Sequence, residues 1–208
     1  MRTQMRYIGV MIMMLVAVFI GVTPIWAATN QATDPGGGSI SLTASGAVTV
    51  NSSALQLVKQ VWSTTGTCLA SSPTDATCNG GTATVTVAAG TQLKFIVFVK
   101  NSTAFALTDV RFQDVLDTSG TGFTYVAVSM KHDITLADTA TSAQIYTQVD
   151  TLGIAETDAV DAGAGNYASI TGAPLSNLTV GAVAGQVNAT LSVGANKTFA
   201  LEFQAIKK

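Results

Sequence analysis

The chain has 208 residues, with 10 basic and 12 acidic side chains, one histidine, two cysteines and 11% charged residues, under half the roughly 25% usual in soluble domains. So few cations, with no basic stripe among them, exclude an electrostatic nucleic-acid binder, which must displace counterions from phosphates. The many Val, Ile and Phe residues exclude a disordered tail, and the small β-branched residues around them suit packed sheets.

Arg2 and Arg6 precede an unbroken apolar or small run from Tyr7 to Val22, followed by Pro24 and by Ala27-Ala28. A positive start, an apolar core, a helix breaker and small residues are the parts of a secretory signal peptide. Residues 1–27 are therefore expected to be removed by cleavage after Ala27. The alternative is an uncleaved anchor, since residues 7–28 are long enough to span a bilayer. Removal leaves eight basic and twelve acidic groups, net −4. The remainder is expected outside the cell or at its surface, with no membrane span of its own.

Residues 28–39 (ATNQATDPGGGS) read as a flexible linker, being polar and punctuated by Pro35 and three glycines. Residues 40–208 read as one domain of short strands with period-two alternation. The first two are Ile40–Ala44 and Ala47–Val50, and Leu55–Trp62 is the third. TATVTVA at 82–88 alternates. So does Leu93–Lys100, whose two faces are both largely apolar and therefore both covered. Val110, Phe112 and Leu116 share one side of the next run, and Thr124–Met130 is another. Gln186–Val193 and Phe199–Gln204 close the series. Asp138–Leu152 departs from this pattern: Asp138 or Thr139 could cap, and Ala143, Tyr146 and Val149 recur at helical spacing. The expected fold is all-β, an Ig-like β-sandwich of about seven to nine strands with one short helix in a loop-rich insertion, residues 131–183.

Cys68 and Cys78 flank nine residues rich in turn formers. An even pair in an exported chain reads as a disulfide; with only one distant histidine, the pair makes no metal-ligand set.

Three stretches resemble a known module: Leu55-Gln-Leu-Val-Lys-Gln, then Val87 to Asn101 (VAAGTQLKFIVFVKN), then Leu107 to Leu116 (LTDVRFQDVL). Val193 to Phe203 (VGANKTFALEF) matches its closing hairpin. Together they are similar to the bacterial cell-surface conserved-repeat domain, the family numbered eleven among domains of unknown function. The likeness runs from about Val50 to Ile206. It implies an Ig-like sandwich at or outside the cell surface, with no catalytic site known for the module. The Cys68–Cys78 hairpin, the 131–183 stretch and the single copy depart from the family pattern.

Catalytic constellations are missing from the sequence. A serine triad needs a histidine base, and His132, expected in an exposed loop, has no nucleophile elbow to serve. No phosphate loop or dinucleotide fingerprint occurs. Asp114, Asp117, Asp158 and Asp161 lack the dense spacing of a calcium loop and read as turn or cap residues. No enzyme activity, cofactor or metal is expected. Five Asn-x-Ser/Thr sequons, at Asn51, Asn101, Asn177, Asn188 and Asn196, are candidate glycosylation sites, expected at exposed turns, strand ends or polar strand faces.

One charged pair stands out. Alternation puts Lys59 on the apolar face of Leu55, Leu57 and Val61, and Asp114 on that of Val110, Phe112 and Leu116. Inward charges must pair, neutralise or reach water at a strand end, so Lys59 and Asp114 are a candidate core ion pair. An amide crosslink between them is a further reading, one that would remove a water or an ammonia from the intact mass.

The functional expectation is a secreted or cell-surface structural module, a filament or matrix subunit whose partners are other protein subunits, itself included, or surface polymers. Assembly would use β-strand edges. The alternative is an adhesin-type ligand-binding domain that uses residues 131–183 as its recognition loop.

Overall fold

The computed structural model describes residues 55–208 except 82 and 164, together with the backbone of 30–33 and 39–42. The expected signal peptide, the Ala47–Val50 strand and Asn51 lie outside the described residues.

Sixteen strand segments and one helix make up the described chain: β1 (Asn30–Thr33), β2 (Ser39–Leu42), β3 (Leu55–Ser63), β4 (Cys68–Ser72), β5 (Gln92–Asn101), β6 (Leu107–Val110), β7 (Phe112–Val115), β8 (Phe123–Tyr125), β9 (Lys131–Ala137), α1 (Ser142–Leu152), β10 (Ile154–Ala155), β11 (Ala168–Thr171), β12 (Asn177–Val180), β13 (Ala182–Val183), β14 (Gln186–Val187), β15 (Leu191–Val193) and β16 (Lys197–Lys207). The architecture is an all-β sandwich with one short helix. Its main sheet runs β10-β9-β16-β5-β3-β4, with β8 also paired to β16. The facing layer holds β11-β12-β7 and the pair β15-β6, and all of these pairings are antiparallel.

The core follows from alternation. Leu55, Leu57, Phe95, Val97, Val99, Phe199, Leu201 and Phe203 point from the main sheet into the sandwich. There they meet Val110, Phe112, Ile170, Leu178, Val180 and Leu191 of the facing layer. Phe95 stacks on Phe203 with ring centroids 5.2 Å apart. The other face of the main sheet is also covered, as the apolar residues on both faces of β5 predict. Val58, Trp62, Ile96, Phe98 and Ala200 pack there against Ile145 and Val149 of α1 and against the two cysteines.

Helix α1 is capped by Thr141, not by Asp138 or Thr139. Thr141 and Gln144 form a reciprocal capping box, satisfying amide groups that a helix start otherwise leaves orphaned.

Several expectations are corrected. Residues 131–183 are not a loop-rich insertion: β9 pairs with β16 in the main sheet, α1 roofs that sheet, and β11 and β12 build the facing layer. The expected linker includes a strand, because β1 pairs with β2. The alternating segment after Gly81 forms no strand and is largely exposed; alternation supplies a half-apolar ribbon, but a strand also needs a neighbour's edge. Of Thr124–Met130 only Thr124 and Tyr125 are in a strand, β8, and Gln186–Val193 breaks into β14 and β15.

The turn from β12 to β13 depends on Gly181. Its φ is +76°, and a Cβ there would lie 2.3 Å from the Val110 carbonyl oxygen, so only glycine fits.

Candidate functional site

Lys59 leaves the middle of β3, and Asp114 leaves β7 in the opposite layer. Their side chains meet across the sandwich, Nζ to Oδ2 at 2.5 Å, each about one-sixth exposed. The ammonium also sits 5.6 Å from the Phe95 ring centroid. The pair lies beside a small cleft lined by Val61, Ala70 and Ala83, so it is shielded without being sealed from water.

Cys68 and Cys78 are joined in a disulfide within one chain, and both are buried on the helix side of the main sheet. The bond pins the segment that carries Asp75 against the start of α1. Asp75 Oδ2 accepts from the Ser142 hydroxyl at 2.6 Å, and Ser142 Oγ accepts from Gln60 Nε2 at 2.7 Å. Gln60 Oε1 in turn accepts from Trp62 Nε1 at 3.0 Å, and Trp62 stacks on Tyr146 at 4.5 Å. Closing so short a loop restricts the unfolded chain modestly. Replacing both cysteines by serine is expected to cost about 2 kcal/mol and to leave the sandwich folded. Urea unfolding monitored by Trp62 fluorescence checks this; complete unfolding in buffer would contradict it.

Between this hairpin and the helix start lies a recess of about 440 Å³. Val58 and Phe98 form its floor, and Asp75, Lys100, Thr139 and Thr141 are among its walls. Lys100 Nζ donates to the Ala140 carbonyl at 2.8 Å. Burial pulls its ammonium below the ordinary lysine value, outweighing the attraction of Asp75 and Asp138. Burial also opposes the charge of Asp75. Hydrogen bonds from Ser142 and Thr77 prevail, however, and hold that carboxyl below its usual range.

A second polar cluster lies under the C-terminal half of α1. Glu202 of β16 is fully buried, and among the described residues neither carboxyl oxygen has a partner at good hydrogen-bond geometry, Gln204 giving it only weak support. Lys94 Nζ is 4.0 Å from Glu202 Oε1 but bonds to the Asp150 carboxylate and, at 3.3 Å, to the Tyr146 hydroxyl. Lys131 donates to the Asp150 carbonyl at 2.7 Å, where a cation suits the negative end of the helix dipole. Burial pushes the Glu202 carboxyl up to about 7, against the pull of Lys94. The sequence reading missed this cluster. The available signal was Glu202 lying between Ala200 and Gln204 on a strand whose register partner, β5, is apolar on both faces.

His132 is not in an exposed loop. It is 1% exposed within β9, because its ring packs between those of Tyr167 and Phe199, with centroids at 5.0 and 6.2 Å. Its Nδ1 lies 2.7 Å from Glu156 Oε1, without the alignment of a hydrogen bond. The Glu156 carboxylate accepts from the amides of Tyr167 and Ala168, so it stitches the margin of the main sheet to the facing layer.

Two sequons are corrected as well. Asn101 is fully buried, and its Nδ2 donates to the carbonyls of Phe105, Val193 and Gly194. Asn188 is 1% exposed and donates to the Thr179 carbonyl. Neither amide nitrogen can accept a glycan in the folded chain. Asn177 and Asn196 are exposed. The other aspartates work locally. Asp117 Oδ1 accepts from the Ser119 amide and hydroxyl, Asp158 accepts from the Tyr125 hydroxyl and the Val128 amide, and Asp161 Oδ1 accepts from the Gly163 amide. Among the described residues no helix is long and apolar enough to cross a membrane.

No family model, curated protein or solved structure matches this chain.

Proposed function

We propose that the chain is an exported structural module that associates with other subunits, copies of itself included, through β-strand edges. A disulfide in an all-β sandwich suits an oxidising compartment. The low charge suits close packing between subunits, and the resemblance to a cell-surface repeat domain points the same way.

The observation that carries this reading is the margin of the facing layer. Among the described residues β7 pairs with β12 on one side and ends its sheet, which makes its other side a template for strand addition. The backbone of β1 lies beside β7 and, among the described residues, has its ladder with β2. An N-terminal segment of a neighbouring subunit could therefore take the ladder position beside β7.

Deleting residues 28–50 from the exported protein tests the idea. Native protein is expected to form multimers or filaments by negative-stain microscopy and light scattering, and the deletion variant monomers. Filaments formed by the variant, or a native protein that stays monomeric at high concentration, would overturn the reading.

A second reading, a ligand-binding domain that uses part of residues 131–183, is favoured by one feature. The 440 Å³ recess is walled on one side by residues 139–142.

A further inference from the structure

That recess sits at the lower end of the roughly 300–1,000 Å³ usual for small-molecule sites. Its charges define what could occupy it. Asp75 and Lys100 stand on its walls with opposite signs, so an anion meets the carboxylate and a cation meets the ammonium. At the start of α1 the amides of Thr141 and Gln144 are taken by the capping box, and an anion drawn to that helix start would still meet the Asp75 carboxylate. A purely apolar occupant would strip water from two charged groups and return no hydrogen bond, which is costly. The fitting occupant is neutral, with groups that both donate and accept.

The polar groups are held in place before any ligand arrives. Asp75 Oδ1 accepts from the amide and hydroxyl of Thr77, and Oδ2 accepts from Ser142. A carboxylate has about four acceptor positions, so one on Oδ2 stays available. The Lys100 ammonium has three protons and gives one to Ala140, which leaves two. The threonine hydroxyls at the rim donate and accept alike. Pro73 and Ala76, both exposed on the same rim, offer apolar surface to the C–H face of a ring.

We propose that this recess binds a neutral saccharide unit, with Asp75 accepting from its hydroxyl groups and Lys100 donating to them. The proposal deepens the ligand-binding reading and does not depend on strand-edge assembly.

The test is saturation-transfer NMR and calorimetry on the full exported, disulfide-bonded protein. The probes are the methyl glycosides of glucose, galactose, mannose and N-acetylglucosamine, with glycine and sulfate as charged comparators. At least one glycoside is expected to bind with Kd of about 1 mM, while glycine and sulfate do not bind. Asp75→Asn is expected to weaken binding about tenfold or more, since hydrogen bonds to a charged group are the stronger ones. If Asp75→Asn fails to fold, the double variant Gln56→Leu/Thr74→Leu serves instead. It changes only exposed rim residues and is expected to weaken binding with unchanged Tm. Glycoside binding that survives in every folded recess variant would overturn the site while leaving a ligand-binding role intact. No binding of any glycoside, or binding of glycine or sulfate in their place, would overturn the proposal itself.

Discussion

Glu202→Gln is expected to make the protein more stable above pH 7, by up to about 3 kcal/mol, and to flatten its stability between pH 4.5 and 7. The native carboxyl is fully buried, its one close cation stands off at 4.0 Å, and burial lifts it from an ordinary 4.5 to about 7. Below pH 4.5 the group is protonated in folded and unfolded chains alike and leaves their balance unchanged. Between 4.5 and 7 the unfolded chain releases the proton and the folded chain keeps it, so native stability falls as pH rises. Above 7 the folded protein carries a buried charge whose closest cation, Lys94, is bonded to Asp150. Asp75 and Asp133 act in the opposite direction and in another window. Both are held below the ordinary 3.8, so their contribution is present above that value and lost as pH falls beneath it. Native Tm should therefore peak near pH 4 to 5 and fall toward 7, and the Gln variant should hold a plateau. Thermal unfolding of both proteins across pH 3 to 8 measures this. Parallel curves would show that Glu202 does not titrate in this range.

Lys59→Met and Asp114→Asn are each expected to cost about 2–3 kcal/mol, since each strands the other charge in a largely buried place. The double variant is expected to lose clearly less than the sum, because no charge is left unpaired. A coupling of at least about 1 kcal/mol in the double-mutant cycle, by urea unfolding, is the expected reading. The contact at 2.5 Å is direct, so additive losses would mean that the two groups do not hold each other in solution. Lys59→Met also removes the cation above Phe95, and this part of its cost stays outside the coupling.

The sequence by itself determined the features that depend on local pattern. Alternation in β3, β5 and β16 assigned each residue to a face, and the apolar character of both faces of β5 required a second cover for the main sheet. The spacing of Cys68 and Cys78 pointed to a hairpin disulfide, and helical spacing near Tyr146 pointed to α1. Each of these is a relation between near neighbours in the chain.

What faces each strand across the core was decided only in three dimensions. Alternation turned Lys59 and Asp114 inward, but their meeting depends on β7 lying over β3 across the sandwich. The segment after Gly81 alternates as well as β5 does, yet it forms no strand. Asn101 and Asn188 look like surface sequons until their amides are seen closing turns in the interior. His132 and Glu202 read as ordinary polar positions, and became buried because the Tyr167 and Phe199 rings close over the first and α1 lies over the strand of the second. The physical reason is common to all of these. Period-two patterning specifies the side to which a residue points, whereas burial, pairing and protonation depend on what distant chain is packed against that side.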